Sequence, residues 1–200
     1  MGENMRVIID TDIGSDVDDA LALALALKSK EIQLEAVTLV YGNVDLRAKI
    51  ALKMLKLAGF EGISVAKGIE KPLLREREVF WTGHEGEGFL TPMDDALKPA
   101  PIHAIDLIIS KVMSMKRMIT LITLGPLTNM AAAIIKEPQI IENIKEVFIM
   151  GGVTRLSDGF NLPFREHNIY SDPEAAKVVF NSGLPITMVP LDVTLKVAID

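Results

Sequence analysis

Apolar residues along this chain follow two rhythms. Short, nearly unbroken apolar or β-branched runs such as Val7-Ile8-Ile9 alternate with longer stretches in which apolar positions recur every three or four residues. The first kind reads as strands buried on both faces, the second as amphipathic helices packed over them. Strands are predicted at 6–10, 34–40, 62–66, 118–123, 146–150 and 186–189, and helices at 18–28, 46–58, 103–113, 127–135 and 172–181. The last helix opens on Asp172-Pro173, with proline in the first turn, where its missing N–H costs nothing. Strand and helix alternating over the whole length predict an α/β fold, a single domain over 1–200 with an open, mostly parallel Rossmann-like sheet and helices on both faces. Two stretches break the rhythm, 71–98 and 151–170; both are polar and rich in Gly or Pro, and loops of that length are expected to be functional. Beyond Val189 the pattern reads as a strand running out into a loop that closes nothing, so the fold is expected to be incomplete at its C-terminal end.

Composition narrows the field. With 200 residues and 49% hydrophobic content the chain buries one sizeable core. Its 21 basic and 27 acidic residues leave a net charge of -6, which argues against a surface that tracks phosphates and so against a nucleic-acid polymer as partner. The absence of cysteine excludes disulfides, a thiolate nucleophile and a thiolate metal site. No apolar run approaches the ~18 residues needed to span a bilayer, and the first residues lack the apolar region and cleavage site of a secretory signal. A cytoplasmic protein with no membrane partner is expected.

Chemistry concentrates after the first strand, where Asp10-Thr11-Asp12-Ile13-Gly14-Ser15-Asp16-Val17-Asp18-Asp19 packs five carboxylates into ten residues. In open α/β sheets that end of a strand is where ligands bind. Like charges so close repel one another unless a cation or donors neutralise them, and oxygen-only ligands favour calcium or magnesium over zinc. An EF-hand loop from Asp10 would want Gly and Glu where Ser15 and Leu21 stand. A haloacid-dehalogenase-type phosphatase would use Asp10 as nucleophile, and Asp10-Thr11-Asp12-Ile13 fits it until Gly14.

Asp10-Thr11-Asp12-Ile13-Gly14 followed by Asp18-Asp19-Ala20-Leu21-Ala22 resembles the signature of the inosine-uridine preferring nucleoside hydrolases, with two extra residues between the halves. Further segments of that family occur in order: Val40-Tyr41-Gly42-Asn43, Thr123-Leu124-Gly125-Pro126-Leu127-Thr128-Asn129, Phe148-Ile149-Met150-Gly151-Gly152, and Glu166-His167-Asn168 leading to Asp172-Pro173-Glu174-Ala175-Ala176. The resemblance covers the N-terminal two-thirds of such an enzyme and implies its fold and its activity, hydrolysis of ribonucleosides to ribose and free nucleobase. It implies Ca2+ held by Asp12, Asp19 and the carbonyl of Leu124, with Asp12 accepting a proton from the calcium-bound water. Asp18 and Asn43 would lie near that water and the ribose, and Met150, Asn161, Glu166 and Asn168 would hold the ribose hydroxyls. His84, in Trp81-Thr82-Gly83-His84-Glu85, would face the base and help it leave, though Glu85 stands where the family carries glycine. A further Asp ligand, and in many members a histidine acid, fall beyond the matched segment. His167 occupies a position usually aromatic and is expected to pack near the ribose. A homo-oligomer, dimer or tetramer, is implied as well.

The chemistry stands apart from the family name. Cleaving an N-glycosidic bond builds positive charge on the sugar, which carboxylates beneath the ring stabilise. Carboxylate and amide side chains also match vicinal hydroxyls. A non-catalytic calcium- or ribose-binding module is the remaining alternative.

Overall fold

The computed structural model describes residues 4–79, 85–154 and 165–197. All six expected strands form: β1 (Met5–Thr11), β2 (Ile32–Leu39), β3 (Ser64–Lys67), β4 (Ile119–Thr123), β5 (Glu146–Met150) and β6 (Ile186–Val189). Every pairing is parallel, in the order β3-β2-β1-β4-β5-β6. The order reverses between β1 and β4, and the crevice beyond their C-terminal ends is where such sheets bind ligands.

Eight helices are described: α1 (Asp18–Lys28), α2 (Val44–Ala58), α3 (Ala104–Ser114), α4 (Thr128–Lys136), α5 (Ile140–Asn143), α6 (His167–Ser171), α7 (Pro173–Phe180) and α8 (Leu191–Thr194). Because successive strand residues point to opposite faces, β1 feeds two cores. Ile8 joins Leu121, Val147 and Ile149 beneath Ile108 of α3, Met130 of α4 and Val179 of α7. Val7 and Ile9 join Val37 beneath Leu23 of α1 and Ala48, Ala51 and Leu55 of α2. That double burial is why the strand runs lack polar alternation.

Differences from the sequence pattern trace to capping and other side-chain-to-backbone contacts. Helix α2 begins two residues early because the Asn43 side-chain oxygen accepts from Leu46 N at 3.0 Å. Within 71–98, a 3-10 turn at Pro92–Ala96 is closed by Thr91 N donating to Asp94 at 2.7 Å and tied to α2 by Lys53–Asp94 at 2.9 Å. Within 151–170, α6 opens because Glu166 accepts from Asn168 N and Ile169 N, and glutamate is a weak sequence signal for that position. Past Pro190 the chain turns into α8 where a loop was expected, and Asp192 accepts from Thr154 N at 2.9 Å.

Asp172 closes the frame. Fully buried, it caps α7 through Ala175 N at 3.0 Å and accepts from Thr128 Oγ1 at 2.7 Å and Leu73 N at 2.9 Å.

Candidate active site

Strand β1 delivers Asp10-Thr11-Asp12 to the switch point, where Asp10 pairs with Thr123 and its carbonyl accepts from Leu124 N at 2.8 Å. Asp10 itself lies under the site. It is fully buried, and its Oδ1 accepts from Thr38 Oγ1 at 2.6 Å and Asn129 Nδ2 at 2.8 Å. Asn129 also donates to Leu39 O and accepts from Ile69 N, so it stitches the ends of β2 and β3 to β1. Burial outweighs those hydrogen bonds and pushes the Asp10 carboxyl up to about 7. A phosphatase would need that carboxylate exposed as a nucleophile; here it is a sealed support, which corrects the phosphatase alternative.

The following loop turns the carboxylates outward. Thr11 Oγ1 accepts from Ile13 N at 3.0 Å and donates to Asp19 Oδ1. Gly14 adopts φ +112°, a conformation that side chains rarely tolerate. Across the crevice, a Cβ on Gly125 would lie 2.8 Å from Asp12 Oδ1, so glycine there lets Asp12 rest against the end of β4. Carboxylate oxygens of Asp16, Asp18 and Asp19 lie within 4.8 Å of one another. Burial, then the neighbouring Asp18, pushes Asp16 up to about 7; burial, then the charge of Asp12, pushes Asp19 well above its ordinary range. The two extra residues of the loop thus carry Asp16 into the cluster. Carboxylates crowded together at the mouth of a crevice are the kind of set a hard cation relieves.

These groups line a cavity of about 240 Å3 shared by Asp12, Ser15, Asp16, Asp18, Asp19, Leu124, Met150, Arg165, Glu166, His167, Asn168 and Leu191. Seven of the expected site residues therefore meet: Asp12, Asp18, Asp19, Leu124, Met150, Glu166 and Asn168. Glu166 is held by three main-chain donors, Gly152 N at 2.7 Å, Asn168 N at 2.7 Å and Ile169 N at 2.9 Å. Asn168 Nδ2 donates to Leu124 O at 2.6 Å and Met150 O at 3.1 Å, which aims its Oδ1 away from both carbonyls. The Leu124 carbonyl keeps a second lone pair.

His167 is closer to the chemistry than its sequence position signalled, with Nε2 3.5 Å from Asp12 Oδ2 and its ring edge-on to Tyr41. Asn43 is exposed, caps α2 and is absent from the cavity lining. His84, Trp81 and Asn161 lie outside the described residues. A larger cavity, about 560 Å3 between α1 and α2, is lined mainly by apolar groups such as Ile13, Leu27, Ile50, Met54 and Phe89 and lacks a comparable polar constellation.

A family model described as inosine-uridine preferring nucleoside hydrolase matches residues 7–200. The inosine-uridine preferring nucleoside hydrolase of Crithidia fasciculata is 41% identical over 198 residues, covering 94% of this chain and 61% of that protein. A pyrimidine-specific ribonucleoside hydrolase of Photobacterium profundum is 39% identical over 192 residues, with 94% and 61% covered. Among solved structures, the purine-preferring ribonucleoside hydrolase from Gardnerella vaginalis superposes with a TM-score of 0.85 at 35% identity, over 97% of this chain and 63% of that one. The chain spans 61% to 63% of the length of these relatives.

Proposed function

The chain belongs to the inosine-uridine preferring nucleoside hydrolase family, and from that premise we propose that it hydrolyses the N-glycosidic bond of ribonucleosides to ribose and a free nucleobase. The observation that carries the reading is the convergence of Asp12, Asp19, Leu124, Glu166 and Asn168 on one cavity at the switch point of the sheet.

Asp12, Asp19 and the Leu124 carbonyl would hold calcium, and the burial of Asp19 beside the charge of Asp12, which raises its proton affinity, supports an oxygen-rich cation site there. When bound, calcium orients a water and makes it more acidic. Asp12 accepts the proton of the attacking water, with His167 Nε2 3.5 Å from its Oδ2. Asp12, Asp18 and Asp19 present negative charge to a sugar that becomes cationic as the base departs. Glu166 is fixed by its three N–H donors, so its remaining lone pair meets a ribose hydroxyl without reorganising. Asn168 is oriented by the carbonyls of Leu124 and Met150, which leaves Oδ1, with no donor found among the described residues, to accept from another hydroxyl. Met150 and Asn161 complete the ribose contacts, and His84 serves the departing base. The same reading extends to a homo-oligomer, dimer or tetramer, working in the cytoplasm in nucleotide salvage. Among the described residues no helix is long and apolar enough to cross a membrane.

Relatives carry names that range from pyrimidine-specific to purine-preferring, so both base classes enter the test. The chain is incubated with calcium and inosine, adenosine, uridine or cytidine, and free ribose is assayed. Ribose is expected from at least one, and its release should fall at least 100-fold in Asp12→Asn, the scale of a lost general base. No ribose from any substrate refutes the catalytic reading, and calcium and ribose binding without turnover would identify a binding module instead.

A further inference from the structure

The largest fully buried side chain in the described structure is an arginine. Arg47, in the first turns of α2, has no exposed surface. A buried guanidinium is costly unless each nitrogen finds an acceptor and a counter-charge stands nearby. Both conditions are met. Nε donates to Tyr41 O at 2.7 Å, Nη1 to Asp12 O and to Ile13 O at 3.1 Å, and Nη2 to Ser15 Oγ at 2.9 Å and Glu85 Oε1 at 3.2 Å. Glu85, itself mostly buried, supplies the negative charge.

Those acceptors belong to three segments far apart in sequence: the acidic loop, the turn before Asn43, and the residue after His84. The turn is tight on the arginine. Tyr41 sits at φ +65°, unusual for a residue with a side chain, and a Cβ on Gly42 at φ +68° would come 3.2 Å from Nη2. Drawing the Asp12 and Ile13 carbonyls toward α2 leaves the Asp12 side chain on the opposite side of the loop, against Gly125 and His167. Through these bonds the acidic loop, the turn and Glu85 are tied to one arginine and form one unit.

We propose that Arg47 is a positioning residue of the site, acting through the main chain of Asp12 and Ile13 with Glu85 as its counter-charge; the inference rests on the calcium reading of that site. Lysine keeps the charge but has no planar fork, and cannot serve three segments at once. Calcium affinity is measured by titration calorimetry, well below the melting temperature, on the 200-residue chain, on Arg47→Lys and on Ser15→Ala, with urea unfolding in parallel. Val179→Ala, a core change in α7 remote from the loop, is the control for lost stability.

Arg47→Lys should weaken calcium binding roughly 10- to 100-fold, as losses behind a metal's direct ligands do. Ser15→Ala, which removes one of the five acceptors, should weaken it about tenfold, the lower end of that range. Val179→Ala should lose stability and keep its calcium affinity. If the Arg47 and Ser15 variants lose stability while binding calcium like the parent, the role is structural only and the proposal is overturned. Should Arg47→Lys not fold, unchanged affinity in Ser15→Ala overturns it. If the parent chain binds no calcium, the metal reading itself falls, a distinct outcome that removes the ground for this inference as well.

Discussion

Consider Asp10→Asn, a change that removes a charge while nearly preserving shape. Asparagine can place its oxygen where Oδ1 now accepts from Thr38 and Asn129, and its amide where Oδ2 has no hydrogen-bond partner among the described residues. The Asp10 carboxyl is raised from 3.8 to about 7, chiefly by burial. At ~1.36 kcal/mol per tenfold change in proton affinity, ionised Asp10 costs the folded state about 4 kcal/mol as an upper figure, and roughly 2 kcal/mol once relaxation is allowed. The sign follows from proton counting. Between pH 4 and 7 the folded chain holds a proton the unfolded chain has released, so this group's contribution to stability falls as pH rises through that window and levels off above 7. Asparagine carries no such penalty. The stability of Asp10→Asn relative to the parent should therefore improve by about 1–3 kcal/mol between pH 5 and 8.5, or roughly 2–10 °C in melting temperature for a chain of this size. Urea unfolding at both pH values in EDTA measures it. Any fixed cost of the buried amide cancels in the difference between pH values. A difference between variants that is flat with pH, or one that turns against asparagine at pH 8.5, refutes the reasoning.

Two further outcomes follow from the same geometry. Because Asp16 and Asp19 hold protons above their ordinary range, calcium must displace them at low pH; millimolar calcium should raise the melting temperature more at pH 8 than at pH 5.5, and an equal rise at both would count against a calcium site in this cluster. Asp172→Ala strips α7 of its cap and leaves Thr128 Oγ1 and Leu73 N without their acceptor, so urea unfolding should register a loss of about 2–4 kcal/mol; a loss below 1 kcal/mol would mean that these contacts are not holding the frame.

The six strands and five long helices were legible because each is a local property, set by the spacing of apolar residues that packing only confirms. The acidic run was legible for the same reason: five carboxylates in ten residues are costly wherever the chain goes. The division of labour among those residues was not. Asp10 and Asp12 are two positions apart on one strand, and only the sheet decides that Asp10 is sealed between Thr38 and Asn129 while Asp12 opens on the cavity. Motif residues likewise separate into lining and scaffold, Asn168 in the first group and Asp172 and Asn129 in the second, because partners such as Leu73, Ile69 and Thr128 are brought in from distant segments. Glu166 illustrates both, since a residue that sequence assigns to a ligand also caps a helix whose start it does not announce. Arg47 was missed outright, and His167 was expected only to pack near the ribose: neither residue type signals a site alone, and what distinguishes them is complete burial against three segments and a 3.5 Å approach to Asp12. Sequence by itself determined the elements and the inventory of charges, since both depend on neighbours along the chain. Which charges are buried, paired or turned toward a ligand was decided by tertiary structure, because desolvation and hydrogen bonding depend on neighbours in space.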